Sequence, residues 1–136
     1  MSVRLKRLLL VLIAQLACFA HASAQDRSES LPAETAVIDS QIQAVWDQFV
    51  DRLKAGDAKG ASQLLSPDAR SKYEPVFRDL GNDLRNLPGG WSKPVLVSVY
   101  LPFAEYFVSQ TFNGEERGHL VSFVRHPKGQ WFIEEF

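Results

Sequence analysis

The hydrophobic period of this 136-residue chain changes once, at Pro88-Gly89-Gly90, and that change constrains the fold more than any other feature. Before it, apolar residues recur at steps of three and four, as one face of a helix requires. After it they alternate at steps of two, as a strand requires. Ile38, Ile42, Val45, Trp46, Phe49 and Leu53 form a broad apolar stripe on a helix that begins near Thr35. Asp47, Asp51, Arg52 and Lys54 fall largely off that stripe, and Gly56 suits the left-handed position that ends a helix. Asp57 can cap a short second helix carrying Ala61, Leu64 and Leu65. Ser66-Pro67-Asp68 starts a third, with a serine cap, proline at the first helical position and a carboxylate near the positive end of the dipole. Tyr73, Phe77, Leu80, Leu84 and Leu87 continue it, weakened slightly by Gly81, until Pro88 stops it.

In the strand half, Val95, Val97, Val99 and Leu101 alternate with Leu96, Ser98 and Tyr100. A second strand is expected over 104–112, a third ending near Arg125, and a last one over 130–136. Asn113-Gly114 is the strongest short hairpin signal, because both residues tolerate the positive φ of a type I′ turn. It sets Phe112 opposite Glu115, Val108 opposite His119, Phe107 opposite Leu120 and Tyr106 opposite Val121. Carried through the turn at Pro127-Lys128-Gly129, this register places Phe107, Leu120, Val124, Trp131 and Ile133 on one face. The other face is expected to carry Tyr106, Val108, Val121, Phe123, Phe132 and Phe136. A sheet with one wet side alternates cleanly between apolar and polar, and this one does not. If helices cover the face with Trp131, the second face forms a patch suited to a homodimer; the competing expectation is that strong sheet curvature folds this face inward and the helices cover the other side less fully. The fold class is α+β, with helices packed on an antiparallel four-stranded meander.

The first two dozen residues read as an export leader. Arg4, Lys6 and Arg7 form a positive head, residues 8–20 are apolar except for Gln15, and Ala22-Ser23-Ala24 is a peptidase site before Gln25. The apolar run is about thirteen residues, short of the roughly twenty that span a membrane, so the mature form is not expected to be membrane-embedded. The reading is therefore a signal peptide over 1–24, a flexible terminus over 25–34, one domain over 35–136, and a periplasmic or secreted product. Without the leader the chain keeps twelve basic against sixteen acidic residues, a net charge of −4 with no footprint for nucleic acid. Cys18, the only cysteine, lies in the leader, so the mature domain lacks a thiol. Lipidation at Cys18 is the less fitting alternative, since Gln15 stands where a lipoprotein signal usually has leucine.

Two segments resemble a known superfamily. Leu53-Lys54-Ala55-Gly56-Asp57, then Leu64-Leu65-Ser66-Pro67-Asp68-Ala69-Arg70, is similar to the opening of small exported members of the nuclear transport factor 2-like group. Gly129-Gln130-Trp131-Phe132-Ile133-Glu134-Glu135-Phe136 resembles its last strand. The resemblance covers residues 36–136 and implies a curved sheet wrapped around a long helix, a cone whose open end can be a pocket. The superfamily contains isomerases, dehydratases, transport adaptors and many uncharacterised periplasmic proteins, so the resemblance implies a fold and not a reaction.

Enzymes of that group tend to place an Asp or His, often with a Tyr, inside the cone. His119 and Tyr106 share a sheet face here and are the candidate base and hydrogen-bond donor of a cofactor-free lyase or isomerase acting on an apolar substrate. The competing assignment for His119 is a partly exposed strand residue near Arg117, and His126 reads as a solvated loop residue. Two separated histidines without cysteine do not make a zinc site, and neither metal nor cofactor is expected. Asp79 and Asp83 read as a solvated helical face, Glu115-Glu116 and Glu134-Glu135 as solubilising pairs. Trp46 and Trp131 fit core positions, whereas Trp91, at the junction of the halves, either lines a pocket or plugs the core. Trp91, Tyr106, Phe123 and Phe132 are the expected pocket or partner surface. With no catalytic constellation evident, the leading expectation is an exported, non-catalytic module that binds an apolar small molecule or a periplasmic protein.

Overall fold

The structure, a computed structural model, describes residues 32–136. The expectations for the leader, including the cut before Gln25 and the fate of Cys18, lie outside the described residues. Among the described residues three helices come first: α1 (Ala33–Lys54), α2 (Ala58–Ser62) and α3 (Pro67–Leu80), followed by a 3₁₀ segment at Gly81–Asn86. Four strands follow: β1 (Val95–Tyr100), β2 (Phe103–Phe112), β3 (Glu115–Arg125) and β4 (Trp131–Glu135). They form one antiparallel sheet in the order β1-β2-β3-β4. The chain is α+β, helices first and a four-stranded meander last.

The helix ends follow their local chemistry. The Gly56 amide donates to Leu53 O and the Asp57 amide to Arg52 O, with Gly56 at φ +73°, so the last carbonyls of α1 are satisfied in a left-handed cap. Asp57 accepts from the Gly60 amide at 2.8 Å, and Ser66 from the Ala69 amide at 3.2 Å. The expected third helix is shorter than its apolar spacing suggests. Gly81 breaks it at φ +52°, and Leu84 reaches the core from the 3₁₀ segment instead.

Helix α1 buries Ile38, Ile42, Trp46, Phe49 and Leu53 against the inner sheet face. That face presents Ala104, Tyr106 and Val108 from β2, Val121 and Phe123 from β3, and Trp131 and Ile133 from β4, all buried. The face assignment read from the sequence is corrected here. Tyr106, Val108, Val121 and Phe123 are core residues with 0% exposure, so they form no dimer patch. Trp131 and Ile133 join them, while Phe107, Leu120, Val124 and Phe132 face outward.

The cause is the turn between β3 and β4. Pro127-Lys128-Gly129 is a three-residue loop: the His126 amide donates to Gln130 O at 2.7 Å, and Gly129 takes φ +94°. An odd loop length pairs Arg125 with Trp131, Val124 with Phe132 and Phe123 with Ile133. A one-residue difference in register exchanges the two faces of a strand, and that is the difference between expectation and structure.

Two irregularities change parity again. In β4 the register slips between Ser122 and Phe123, and Phe136 returns to the core side, with its ring 5.1 Å from Phe49 and 4.4 Å from Tyr73. In β1 a slip between Leu96 and Ser98 lets Leu96 and Val99 both pack on the core. Val97 and Leu101, expected on the face of Val99, are exposed. At the β4 edge, Ser66 N–H donates to Ile133 O and Ile133 N–H to Leu64 O, both at 2.9 Å, so the α2–α3 connection covers that edge.

Candidate functional site

Three polar side chains of α1 reach across to the strand half. Asp39 accepts the Tyr106 hydroxyl at 2.9 Å, Gln43 donates to Pro94 O at 2.8 Å, and Gln41 accepts from the Trp131 indole at 3.2 Å. These residues flank the apolar stripe of Ile38 and Ile42, where a helix leaves the core for solvent. Burial first, then the bond to Asp39 and its negative charge, push the Tyr106 hydroxyl well above its ordinary pKa of 10.0. Asp39 is the partner of Tyr106 that the sequence reading missed. Its position beside Ile38, at the margin of the stripe, is the signal that it faces the sheet.

His119 is half-buried, paired with Val108 on the inner face, and diagonal to Tyr106 across the β2–β3 ladder. The Tyr106 hydroxyl is committed to Asp39. Among the described residues, the His119 side chain makes no hydrogen bond to Tyr106. Trp91 is half-buried, its ring 5.4 Å from Trp46 and 6.2 Å from Phe136, so it packs over one end of the aromatic core. Phe123 stacks edge-on against Tyr106 at 5.4 Å inside that core. Of the expected pocket or partner residues, Tyr106 and Phe123 are thus enclosed, and Phe132 faces outward.

The outer sheet face carries two apolar rows on either side of a polar one. Val95, Phe107 and Leu120 are paired across three strands, and Tyr100, Phe103, Val124 and Phe132 across four. Between them run Ser98, Glu105 and Ser122. The Glu105 carboxylate accepts from Ser98 Oγ and from the Tyr100 hydroxyl, each at 3.2 Å, so the charge within this face is locally solvated by hydroxyls. The Phe107 ring lies over Gly118, the diagonal position on β3, where any Cβ would collide with it.

Where the second row meets the end of the sheet, two grooves adjoin. One, of about 620 Å³, is lined by Leu65, Arg70, Phe103, Val124, Phe132 and Glu134, among others. The other, of about 700 Å³, lies between Leu101-Pro102 and the 125–129 turn. Both volumes fall within the roughly 300–1,000 Å³ of small-molecule sites. His126, read from the sequence as merely solvated, accepts the Lys128 amide on Nδ1 at 3.2 Å and sets its ring edge-on to Phe132. Sequence reasoning found Phe132 but not its groove, because Phe103 and Leu65 come from distant segments. Among the described residues, no helix is long and apolar enough to cross a membrane. Neither a protein-family model nor a curated protein matches this chain.

Proposed function

We propose that this protein is an exported, non-catalytic binding module built as a nuclear transport factor 2-like cone, and that its working surface is the outer sheet face. The leader in the sequence supports export. The order of elements, with a long helix on a meander that ends in Trp131-Phe132-Ile133, supports the cone. The observation that carries the binding role is the outer face itself. Val95, Phe107 and Leu120 are 62%, 43% and 55% exposed in one contiguous row, and Tyr100 and Phe103 belong to a second apolar row beyond the polar row of Ser98, Glu105 and Ser122. Taking roughly 200 Å² for each aromatic side chain and somewhat less for each aliphatic one, the two rows expose on the order of 500 Å². Apolar area of that extent on one face, divided only by a row of Ser98, Glu105 and Ser122, supports an interaction surface.

The partner is a protein surface of matching apolar character, a second copy of this chain being the first to test. Light scattering at high micromolar concentration should show association of the wild type. Phe107→Glu should give a folded monomer, because Phe107 lies outside the core. A wild type that stays monomeric, together with unchanged periplasmic co-purification after Phe107→Glu, removes the reading.

A further inference from the structure

The grooves at the sheet end share Arg125, His126 and Pro127, and they differ in charge. The groove beside Leu101 and Pro102 is lined by Arg125, His126 and Lys128 with no carboxylate. Asp68 and Glu134 line only the neighbouring groove, together with Arg70, whose guanidinium is already bonded to the Ser62 and Leu65 carbonyls. The ion pairs among the described residues are Arg52–Asp57, Lys72–Glu135 and Arg117–Glu115, so Arg125 has no anionic partner there. Its Nε is buried and has no hydrogen-bond acceptor. Its guanidinium lies 6.0 Å from the Trp131 ring centroid and runs toward Gly129, where an added Cβ would be 3.8 Å from Nη2.

The Arg125 Nε is closed to solvent, so an anion in the groove would meet the guanidinium through its terminal Nη groups. A planar guanidinium matches a carboxylate bidentately, through two parallel N–H bonds. Because His126 Nδ1 accepts from the Lys128 amide, Nε2 is the ring nitrogen left to donate. Arg125, His126 and Lys128 thus line one groove, whose apolar continuation is lined by Phe103, Val124, Phe132 and Leu65. A simple inorganic anion would leave that continuation unused, and a cation would meet Arg125.

We propose that the joined grooves bind a fatty carboxylate, its head on Arg125, His126 and Lys128 and its chain along Phe103, Val124 and Phe132. This goes beyond the outer-face reading and shares Phe103 with it, while Phe107 and Leu120, on the other apolar row, tell the two apart.

Calorimetric titration of the exported protein with sub-micellar decanoate tests it, with decanol, decyltrimethylammonium and acetate as controls. Decanoate should bind at least tenfold more tightly than decanol or acetate, and decyltrimethylammonium should not bind. Arg125→Gln should weaken decanoate about tenfold or more, the loss expected for a charge-assisted hydrogen bond, and leave decanol unchanged. Lys128→Ala, exposed in the turn, should weaken it less and covers the case in which Arg125→Gln fails to fold. Phe103→Ser should weaken decanoate and decanol alike, whereas Phe107→Glu should leave decanoate binding intact. Equal affinity for decanoate and decanol, no binding of decanoate, or decanoate binding indifferent to both cationic substitutions overturns the proposal. So does a change of oligomeric state in Arg125→Gln with decanoate affinity preserved, which would make the groove a contact between copies.

Discussion

The Tyr106 hydroxyl donates to Asp39 at 2.9 Å, tying the middle of β2 to the second turn of α1 across 67 residues of sequence. The tyrosine has 0% exposure, so this bond satisfies a polar group that would otherwise be buried alone. It also fixes how the long helix lies on the sheet, together with the Gln41–Trp131 and Gln43–Pro94 bonds on neighbouring turns.

Replacing that tyrosine has a pH signature. The folded state holds the Tyr106 proton more tightly than the unfolded chain does, because burial and Asp39 both disfavour the phenolate. The stabilisation is therefore complete below the unfolded pKa of 10.0 and declines as pH rises above it, where only the unfolded chain releases the proton readily. Tyr106→Phe should cost about 1–2 kcal/mol at neutral pH, and more if Asp39 is left short of a partner. In urea denaturation from neutral pH to pH 11, the gap between wild type and Tyr106→Phe should narrow above pH 10. A constant gap would mean that the hydroxyl titrates as it does in water.

Trp131→Ala should be far more damaging. Trp131 is 4% exposed, bonds to Gln41 and supports the Arg125 side chain, so truncation leaves a cavity and removes both contacts. The expected loss is about 3–5 kcal/mol, a large part of the roughly 5–15 kcal/mol that a domain has in total. An unchanged denaturation midpoint would contradict the placement of this ring.

Phe123→Glu and Phe107→Glu discriminate the two sheet faces. Phe123 packs on Tyr106 in the core, so a carboxylate there should abolish cooperative unfolding. Phe107 is 43% exposed, and its substitution should leave a folded chain with native-like circular dichroism. The reverse outcome would exchange the faces.

The pair Phe107 and Gly118 should show strong coupling. The ring covers a strand glycine and shields its backbone, a known way to stabilise glycine within a sheet. Gly118→Val expels the ring and should destabilise the wild type by about 1 kcal/mol. In the Phe107→Ala background the same change should be neutral or stabilising, since a β-branched residue then suits the strand. A double-mutant cycle without an interaction energy would show that the ring does not occupy that space.

Processing can be checked independently of the fold. Intact mass of the exported protein should begin at Gln25 without lipid, and a diacylated species beginning at Cys18 would reverse the localisation reading.

Where structure is local, the sequence determined it. The caps at Gly56, Asp57 and Ser66 each involve residues within a few positions of one another, and all three form. The Asn113-Gly114 turn fixed ten β2–β3 pairs, from Phe112 opposite Glu115 to Phe103 opposite Val124, because its two residues reach φ +51° and +79° with little strain. The stripe on α1 was equally legible, since five of its six residues are buried. Tertiary structure decided which way each later strand faces. A strand's side chains alternate with period two, so the three-residue turn at Pro127-Lys128-Gly129 and the slips beside Phe123 and Leu96 each reverse a face without altering composition or hydrophobicity. That parity enclosed Tyr106 and Phe123, turned Phe132 outward and set it in the groove where Leu65 and Arg70 meet Val124 and Glu134. Their contact depends on how the α2–α3 connection docks along β4, a relation that the sum of many long-range contacts sets and no short stretch of sequence encodes.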